Sequence, residues 1–449
     1  MKRAPKYSQQ NNSQEIKEIR FEEETYIERP RDERPHRKPR TEEERRAYAK
    51  RKRAYLERKK RAQKIKKIKK IFKIVVCVIA AIIIAGLLVV IIPSWRTSTF
   101  KWALKSPFGP GIANSIFGKN YEANVRDKEF DSSKIIINEG VSTPKGYTTF
   151  ALFGVDARLE DLTKGTFSDS IIVLNIDEQG VIQMNSVYRD TYLLTRTSEG
   201  KTVVSKANSA YYRNGPMGAI NMLNENFDLA ITDYVVVNFW GLENIIDILG
   251  GIRLKVTDTE KEHLNYYMAE QAEYGNEEYI PLEESGDDVH LSGAQATAFC
   301  RLRDCAFESP LDNVTYTDDY ARTARQRYAL TELILQSKES GMLNLLRKAN
   351  DLFEANSGEK RFIQTSFTIG NLCKILGKAY DMQIGENRAF PDLNYQYTQI
   401  LDVGDSIVAD TLEENVTLMH DFMYKTNGYI PSNDLLDVAN LIRLDIDSQ

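Results

Sequence analysis

The 449-residue sequence predicts a mixed α/β domain, with a central mixed β-sheet flanked by helices, preceded by one transmembrane helix. Three observations lead to this fold class. A long apolar run separates a basic N-terminal segment from an acidic remainder. Short β-branched runs joined by a tight turn predict antiparallel strands, and helical patterns interspersed with further strands predict a sheet that is covered by helices.

The apolar run Ile74–Ile92 predicts the transmembrane helix, which we place at residues 71–93. The run is 19 residues long and has no charged side chain. As a helix it would span about 28 Å, close to the hydrocarbon thickness of a bilayer. A signal peptide is the alternative, but 73 residues precede the run, which is far more than a signal peptide carries before its apolar core.

Charge asymmetry orients this span. Residues 1–73 carry 27 Lys and Arg against 12 Asp and Glu, whereas the whole chain has a net charge of -4. The positive-inside rule places the basic side in the cytoplasm and residues 94–449 outside the cell. We expect residues 1–70 to be disordered, because they have too few apolar residues to offset chain entropy. Their basic run suits anionic membrane lipids. It could also attract nucleic acid without specificity, but no specific nucleic-acid partner is expected.

Three predicted strands open the extracellular domain, after a connector at residues 94–146. The runs 147–154, 170–176 and 181–188 are rich in β-branched and aromatic residues. The turn "DEQG" between the second and third is too short for a parallel crossover, so these strands must be antiparallel neighbours. If the first strand is also antiparallel to the second, three strand ends meet at one edge of the sheet.

The rest of the domain alternates helices with strands. Helical spacing appears in "GPMGAINMLNENF", "NFWGLENIIDILGG", "LSGAQATAF" and residues 318–336, and strands are predicted at 233–239 and "IRLKV". We place the catalytic domain at residues 147–430 and a C-terminal tail at 431–449.

Two aspartates and an arginine are predicted to converge at the shared sheet edge. Asp156 follows the first strand, Asp169 precedes the second, and Arg189 follows the third. Carboxylates suit Mg²⁺, which prefers oxygen ligands and often bridges to a substrate phosphate. The alternative is structural, with Asp169 capping a local turn and Asp156 paired with Arg158.

Arginines are concentrated in two later segments, "CRLRDC" and "YARTARQR", which contain Arg301, Arg303, Arg322, Arg325 and Arg327. Arg322 falls near the first turn of its predicted helix. A cation is unfavourable there because the helix N-terminus is already partly positive. The same place favours a bound anion. The alternative is a solvated helix face on which Asp318 and Asp319 pair with the arginines.

Other chemistries find little support. The sequence has no GxSxG, Walker A or HExxH motif, and its histidines show no ligand-like spacing. Cys300 and Cys305 form one C-x4-C pair, which without a second Cys/His pair is not a zinc site. Outside the cytoplasm a disulfide between them is chemically allowed, and two buried thiols are the alternative. Arginines with a metal and no nucleophile suit phosphoryl transfer.

The chain resembles the LytR-CpsA-Psr (LCP) family. Seven blocks occur in family order over roughly residues 147–340: "FGVDAR", "FSDSIIVLNID", "VYRDTYL", "SKANSAYYRNGP", "DYVVVNFWGLENIIDILGGI", "LSGAQATAFCRLRD" and "DDYARTARQR". The sequence departs from the family at Tyr188, where a proline is usual. The 18 residues between Arg303 and Arg322 also make a longer loop than is usual.

The resemblance implies an LCP-like fold and an enzyme that moves a glycopolymer from a polyprenyl-pyrophosphate carrier onto peptidoglycan. It implies Asp156 and Asp169 as ligands of Mg²⁺ or Mn²⁺, and an apolar tunnel for the lipid tail, between sheet and helices. The implied pyrophosphate-binding residues are Arg158, Arg189, Arg301, Arg303, Arg322, Arg325 and Gln326. The residues expected to take part in catalysis are Arg189, Asp190 and Arg322.

Three other functions remain open from the sequence. A lipid pyrophosphatase would use water in place of the peptidoglycan acceptor. Transcription attenuation has long been associated with the family, but an extracellular domain argues against direct DNA contact. A non-catalytic envelope scaffold would tolerate the loss of Asp156 and Asp169.

Overall fold

The computed structural model divides the chain into two compact units, Met1–Leu87 and Leu88–Gln449. It describes residues 41–43, 45–50, 52–54, 56, 59–60, 111, 114–156, 162, 165–275, 280–339, 342–357, 361–379 and 382–449. The expected span at residues 71–93 lies outside these ranges. Within them, no helix combines the length and the apolar character that crossing a bilayer requires.

The described part of the first unit is helical. From residue 42 to residue 60, every described residue has helical backbone and an exposed side chain. Glu, Arg, Lys and Ala all favour helix, and Arg46 lies 3.3 Å from Glu42 one turn earlier. The described residues of this stretch thus have helical backbone where disorder was expected, because local helix propensity acts without any buried core.

The second unit contains fourteen strands in its described residues, numbered β1 to β14 in chain order. Their bounds are Thr148–Val155, Ser168–Ile176, Val181–Val187, Tyr192–Arg196, Thr202–Lys206, Tyr234–Asn238, Ile252–Val256, Gly286–Leu291, Phe307–Glu308, Thr315–Tyr316, Ile363–Thr365, Gln383–Phe390, Gln396–Leu401 and Gly404–Ala409.

Nine α-helices, α1 to α9, accompany these strands in the described part of this unit. Their bounds are Asn208–Phe227, Phe239–Leu249, Asp258–Gly275, Gly293–Phe299, Asp318–Glu339, Met342–Ala355, Ile369–Ala379, Leu412–Tyr424 and Asn433–Asp447. Short helical turns occupy Asn114–Gly118, Tyr121–Val125 and Ser132–Lys134 before β1.

A six-stranded mixed sheet forms the centre, in the order β11-β6-β1-β2-β3-β12. β2 is antiparallel to both β1 and β3, while β6 runs parallel to β1 and β12 parallel to β3. Asp177 shapes the turn between β2 and β3, since its Oδ1 accepts hydrogen bonds from the backbone N–H groups of Gln179 and Val181. The predicted mixed sheet and its first three strands are confirmed.

Helices cover both faces of the sheet. On one face, Phe153 and Val155 of β1 join a buried cluster with residues of α1, α8 and α9. On the other face, Phe150 and Ile172 pack with Leu330 of α5 and with α7. Alternation along β1 sends successive side chains to opposite faces, so this strand contributes to both cores.

Helix α9 belongs to the domain and is not a tail. Its apolar side chains at positions 435, 438, 439 and 442 are buried in the same cluster as β1. Ser432 caps the helix by accepting a hydrogen bond from Leu435 N, and Asp228 in turn accepts from Ser432. The C-terminal tail expected at residues 431–449 is therefore a packed helix, because the helical spacing of these apolar residues buries them against α1, α8 and β4.

Candidate functional site

The three strand ends meet as the antiparallel order requires. β1 ends at Val155, just before Asp156, β2 begins at Ser168, just before Asp169, and β3 ends two residues before Arg189. Asp156, Asp169 and Arg189 all line one polar cleft at this edge. The convergence predicted from the sequence is therefore present.

A β-bulge positions Asp169. In the β1–β2 register, Gly154 faces Ser170 and Val155 faces Ser168, so Asp169 is the extra residue and has no partner on β1. Such an insertion bends a strand and turns a side chain that regular alternation would hold elsewhere. The bulge lets Asp169 contribute both its carboxylate and its backbone carbonyl to the site.

Arg189 lies among three carboxylates. Its guanidinium donates to Asp169 Oδ1 at 2.9 Å, and it lies 3.3 Å from Asp319 and 3.4 Å from Asp190. Burial favours the neutral form of Arg189, but the charges of Asp319, Asp169 and Asp190 outweigh burial and raise the pKa of Arg189. Arg189 thus stays charged although it is half-buried.

Arg322 lies in α5 and reaches the same point from the helix side. Its Nη2 donates to the backbone oxygen of Asp169 at 2.8 Å, and its Nε lies 3.0 Å from Asp319. Burial, together with repulsion from Arg189 and Arg303, lowers the pKa of Arg322 despite the nearby Asp319. A further anion here would relieve that repulsion.

Asp319 pairs with arginines, as expected from the alternative of a helix face on which Asp318 and Asp319 neutralise them. It lies one turn before Arg322 in the first turn of α5 and contacts both Arg322 and Arg189. The Nε atoms of both arginines lie at ion-pair distance from carboxylates, 3.0 Å from Asp319 for Arg322 and 3.4 Å from Asp190 for Arg189, but outside hydrogen-bond geometry. An anion that enters would therefore compete with these carboxylates for the guanidinium groups.

Arg301 and Arg303 follow α4 and lie next to Arg322 at the mouth of an apolar cavity. The Arg301 guanidinium stacks over the rings of Phe239 and Tyr267, with its carbon 4.2 and 5.1 Å from the ring centroids. Among the described residues, neither Arg301 nor Arg303 has a carboxylate in ion-pair distance. Gln326 lies one turn after Arg322 and lines the same cavity.

The apolar cavity measures about 420 Å³ and lies between the sheet and helices α2 and α5. Its apolar lining includes Leu152, Ile172, Val235, Val237, Leu242, Ile245, Ile246, Ala329, Leu330, Leu333 and Ile363. Its polar end is formed by Asp169, Arg301, Arg303, Arg322 and Gln326. Aliphatic walls with one cationic end suit a ligand that has a hydrocarbon tail and an anionic head.

The polar cleft measures about 810 Å³ and adjoins the cavity through Asp169, which lines both. Asp190 lies here, where it pairs with Lys206 at 3.0 Å. The rings of Phe167 and Tyr212 also line this cleft. Of these residues, Lys206, Phe167 and Tyr212 were not predicted from the sequence. Lys206 and Tyr212 stand in the quoted block "SKANSAYYRNGP", to which no role was attached.

Arg325 does not join the anion site, contrary to prediction. It is fully buried, donates to Glu260 at 3.0 and 3.2 Å, and donates to backbone oxygens of residues 302, 305 and 306. Its guanidinium carbon also lies over the rings of Phe307 and Phe299, 4.8 and 5.6 Å from their centroids. Arg325 therefore positions the loop that carries Arg303, and its guanidinium has no capacity left for substrate.

The suggested disulfide is not formed. Cys300 and Cys305 are free and buried. Cys300 ends α4, and burial raises the pKa of its thiol to about 12. Cys305 Sγ instead lies 3.2 Å from Arg325 Nη2. The restraint on the arginine loop that a disulfide would supply comes from Arg325.

The metal prediction rests on two carboxylates. Asp156 and Asp169 line the same cleft, and the buried Ser168 Oγ beside them has no hydrogen-bond partner in the described structure. Three or more His, Cys, Asp or Glu side chains do not cluster around a possible metal position anywhere in that part of the chain. Arg158 lies outside the described residues.

The sequence of this chain is similar to a family profile and to individual known proteins. A profile described as the LytR_cpsA_psr family matches residues 114–415. Polyisoprenyl-teichoic acid–peptidoglycan teichoic acid transferase TagV of Bacillus subtilis (strain 168) is 25% identical over 245 residues, covering 52% of this chain and 57% of the relative. The TagU protein with the corresponding name from Bacillus mycoides (strain KBAB4) is 29% identical over 234 residues, covering 51% and 63%. The chain thus spans less than two thirds of the length of these relatives.

Solved structures with a similar chain path include protein gbs0355 of Streptococcus agalactiae, with 19% identity, a TM-score of 0.48, and coverage of 64% of this chain and 91% of that one. The structure of TagV of B. subtilis is another, with 20% identity, a TM-score of 0.44, and coverage of 64% of this chain and 100% of that one. The family profile spans more than half of the chain and includes every strand that borders the cavity and the cleft. The chain therefore belongs to the LytR_cpsA_psr family.

Proposed function

We propose that this protein transfers a glycopolymer from a polyprenyl-pyrophosphate carrier to peptidoglycan and forms a phosphodiester linkage. The observation that carries the proposal is the continuity between the apolar cavity and the arginines at its mouth. The apolar cavity suits a hydrocarbon tail and the arginines suit a pyrophosphate, so one substrate accounts for both features. The names of TagV and TagU, teichoic acid transferases to peptidoglycan, agree with this substrate pair.

The arginines bind the pyrophosphate. Arg301, Arg303 and Arg322 line the cavity mouth, and Arg189 approaches from the cleft side. Charge-assisted hydrogen bonds from guanidinium groups are the strong contacts that phosphate recognition uses. During transfer, Arg189 and Arg322 neutralise charge on the phosphoryl oxygens, which is the main task of the protein in such reactions.

Asp156 and Asp169 would hold Mg²⁺ or Mn²⁺. Two carboxylates in one cleft fit such an ion, which commonly takes one or two carboxylates and completes its shell with water and substrate phosphate. When bound, the ion would supply further neutralisation of phosphate charge.

The reaction is a displacement at phosphorus. A peptidoglycan hydroxyl oxygen forms a bond to the phosphorus that carries the glycan, and the bond from that phosphorus to the bridging oxygen breaks. Polyprenyl phosphate leaves with the electron pair. The hydroxyl proton passes to a carboxylate of the cleft, which we assign to Asp190 because it lines the cleft beside Arg189.

We further propose that the protein is a single-pass membrane protein, with residues 1–70 in the cytoplasm and residues 94–449 outside. The charge step across the apolar run supports this topology. A tether at the membrane keeps the cavity near a lipid carrier and raises its effective concentration. A reporter that works only in the cytoplasm, fused after Gln449, should be silent, and activity there would refute the orientation.

Reconstitution tests the reaction. Full-length protein in proteoliposomes, given Mg²⁺, a polyprenyl-pyrophosphate-linked teichoic acid and peptidoglycan, should attach the polymer to the wall and release polyprenyl phosphate. The Arg322→Ala variant is the matched control. Carrier consumption at the same rate with and without peptidoglycan, with no linkage formed, would instead identify a pyrophosphatase.

A further inference from the structure

We propose that the polar cleft binds the saccharide acceptor, and that the stacked rings of Phe167 and Tyr212 are the platform on which one of its sugar rings lies. The proposal rests on the transfer reaction above, because it identifies where the attacking hydroxyl enters. No metal or lipid contact is needed for it, so it can be tested separately from catalysis.

The aromatic pair is exposed and preformed. The two rings are stacked with centroids 4.7 Å apart and planes 14° from parallel. Phe167 is 45% exposed and Tyr212 is 47% exposed. The N–H of Gly165 donates to the backbone oxygen of Tyr212 at 3.0 Å, which attaches the segment before β2 to α1. Adjacent exposed aromatic side chains in a polar cleft favour a ligand that has apolar faces as well as polar edges.

Polar groups around the pair match the edges of a sugar. Ser205, Lys206, Asn208, Ser209 and Arg213 line the same cleft. Arg213 is held in place by Thr195, to which its Nη1 donates at 2.8 Å. Hydroxyl, amide and cationic groups beside an aromatic surface are what a saccharide with hydroxyl, acetamido and carboxylate substituents can use.

The position of the cleft distinguishes the acceptor from the carrier. The cavity borders α2 and α5 on one face of the sheet, whereas the cleft borders α1 on the other face. They meet at Asp169. In a displacement at phosphorus, the attacking and leaving oxygens lie roughly in line. A polyprenyl phosphate that leaves into the cavity therefore requires the attacking hydroxyl to arrive from the cleft.

Binding of soluble, undecorated peptidoglycan glycan strands tests the assignment. Calorimetry with the full-length protein in detergent should show strand binding that falls about tenfold, a loss of roughly 1.4 kcal/mol, in the Phe167→Ala/Tyr212→Ala variant. Tyr266→Ala is the matched control, because Tyr266 is an exposed tyrosine of α3 that borders neither site. If the double variant unfolds, Phe167→Leu and Tyr212→Leu keep the apolar volume and remove the flat rings.

Two results would overturn the proposal. One is strand binding that is absent in the wild type or equal in wild type and double variant. The other is a double variant that binds a glycan-bearing carrier more weakly but binds bare polyprenyl pyrophosphate and glycan strands as the wild type does. That result would assign the rings to the donor sugar. Strand binding that depends on the rings, in a wild type that transfers nothing, would refute the transfer reaction and leave the saccharide site standing.

Discussion

Arg189 lies 3.3 Å from Asp319, so an arginine that follows β3 is bound to a carboxylate in the first turn of α5. Asp319 also lies 3.0 Å from Arg322. The sheet edge and the helix are thus connected through a network of alternating charges. A pyrophosphate that binds here would replace these carboxylates as a partner of the arginines. Mutation of an aspartate and mutation of an arginine should therefore have different effects.

Removal of either proposed metal ligand should stop turnover and spare much of the carrier binding. Asp156→Asn and Asp169→Asn should each lower transfer about 10²- to 10³-fold, the range found when a group that stabilises developing charge is lost. Chelation of divalent ions from the wild type should have a similar effect. Asp437→Asn, an exposed change on α9, is the control. Full activity of both variants would refute the metal assignment.

Removal of Arg322 should weaken carrier binding itself. A charge-assisted hydrogen bond contributes about 1.5–3 kcal/mol, so Arg322→Ala should raise the Kd for polyprenyl pyrophosphate roughly 10- to 150-fold. Arg322→Lys keeps the charge without the planar guanidinium, so its Kd should lie between those of the wild type and Arg322→Ala. The surface variant Arg253→Ala should bind normally, and equal Kd values for Arg253→Ala and Arg322→Ala would contradict the anion site.

A larger side chain in the cavity should weaken binding of the lipid tail of the carrier but not of its pyrophosphate head. Ala329 lines the cavity within α5, so Ala329→Phe should reduce affinity for long-chain carriers while inorganic pyrophosphate binds as before. Leu335→Phe, on an exposed position of the same helix, adds similar volume outside the cavity. Unfolding curves check that both variants are folded. Unchanged carrier affinity in a folded Ala329→Phe protein would show that the tail lies elsewhere.

The Arg325–Glu260 pair should be essential for stability. Arg325→Ala leaves Glu260 buried and unpaired, and breaking a buried pair in this way typically destabilises by about 3–5 kcal/mol. Urea unfolding measures the loss. Replacing both partners, as Arg325→Met/Glu260→Gln, should recover part of it, because no buried charge then lacks a partner. A single variant as stable as the wild type would show that this contact does not support the arginine loop.

Stability should fall in mild acid through His420. Burial lowers the pKa of His420 below its ordinary value of 6.5, although the carbonyl of Phe227 and two aspartates oppose the shift. Below about pH 6.5 the unfolded chain takes up a proton that the folded chain resists, so the free energy of unfolding decreases as pH falls toward the folded pKa. His420→Gln should lose less stability between pH 7 and pH 5 than the wild type. Parallel melting curves of the two proteins over this interval would disprove the assignment.

Local sequence predicted part of the site. The turn at Asp177 allows only an antiparallel pair of β2 and β3, which brings Asp169 and Arg189 to one edge. The antiparallel pairing of β1 with β2, which adds Asp156, entered the sequence argument only as a condition, because the longer connection between these strands does not specify their relative direction. The bulge at Asp169 depends on pairing with β1, and no residue type in "FSDS" predicts it.

What the sequence by itself determined was therefore the mixed sheet, the antiparallel pairing of β2 with β3 and the resemblance to the family. Tertiary structure alone decided which arginines line the cavity. Arg322 and Arg325 lie three residues apart on α5, yet one lies at the cavity mouth and the other is enclosed by Glu260 and the carbonyls of the following loop. Residues at this spacing share a helix face only approximately. Their different roles come from the groups that distant parts of the chain place around each guanidinium, because a buried charge is stable only where partners surround it.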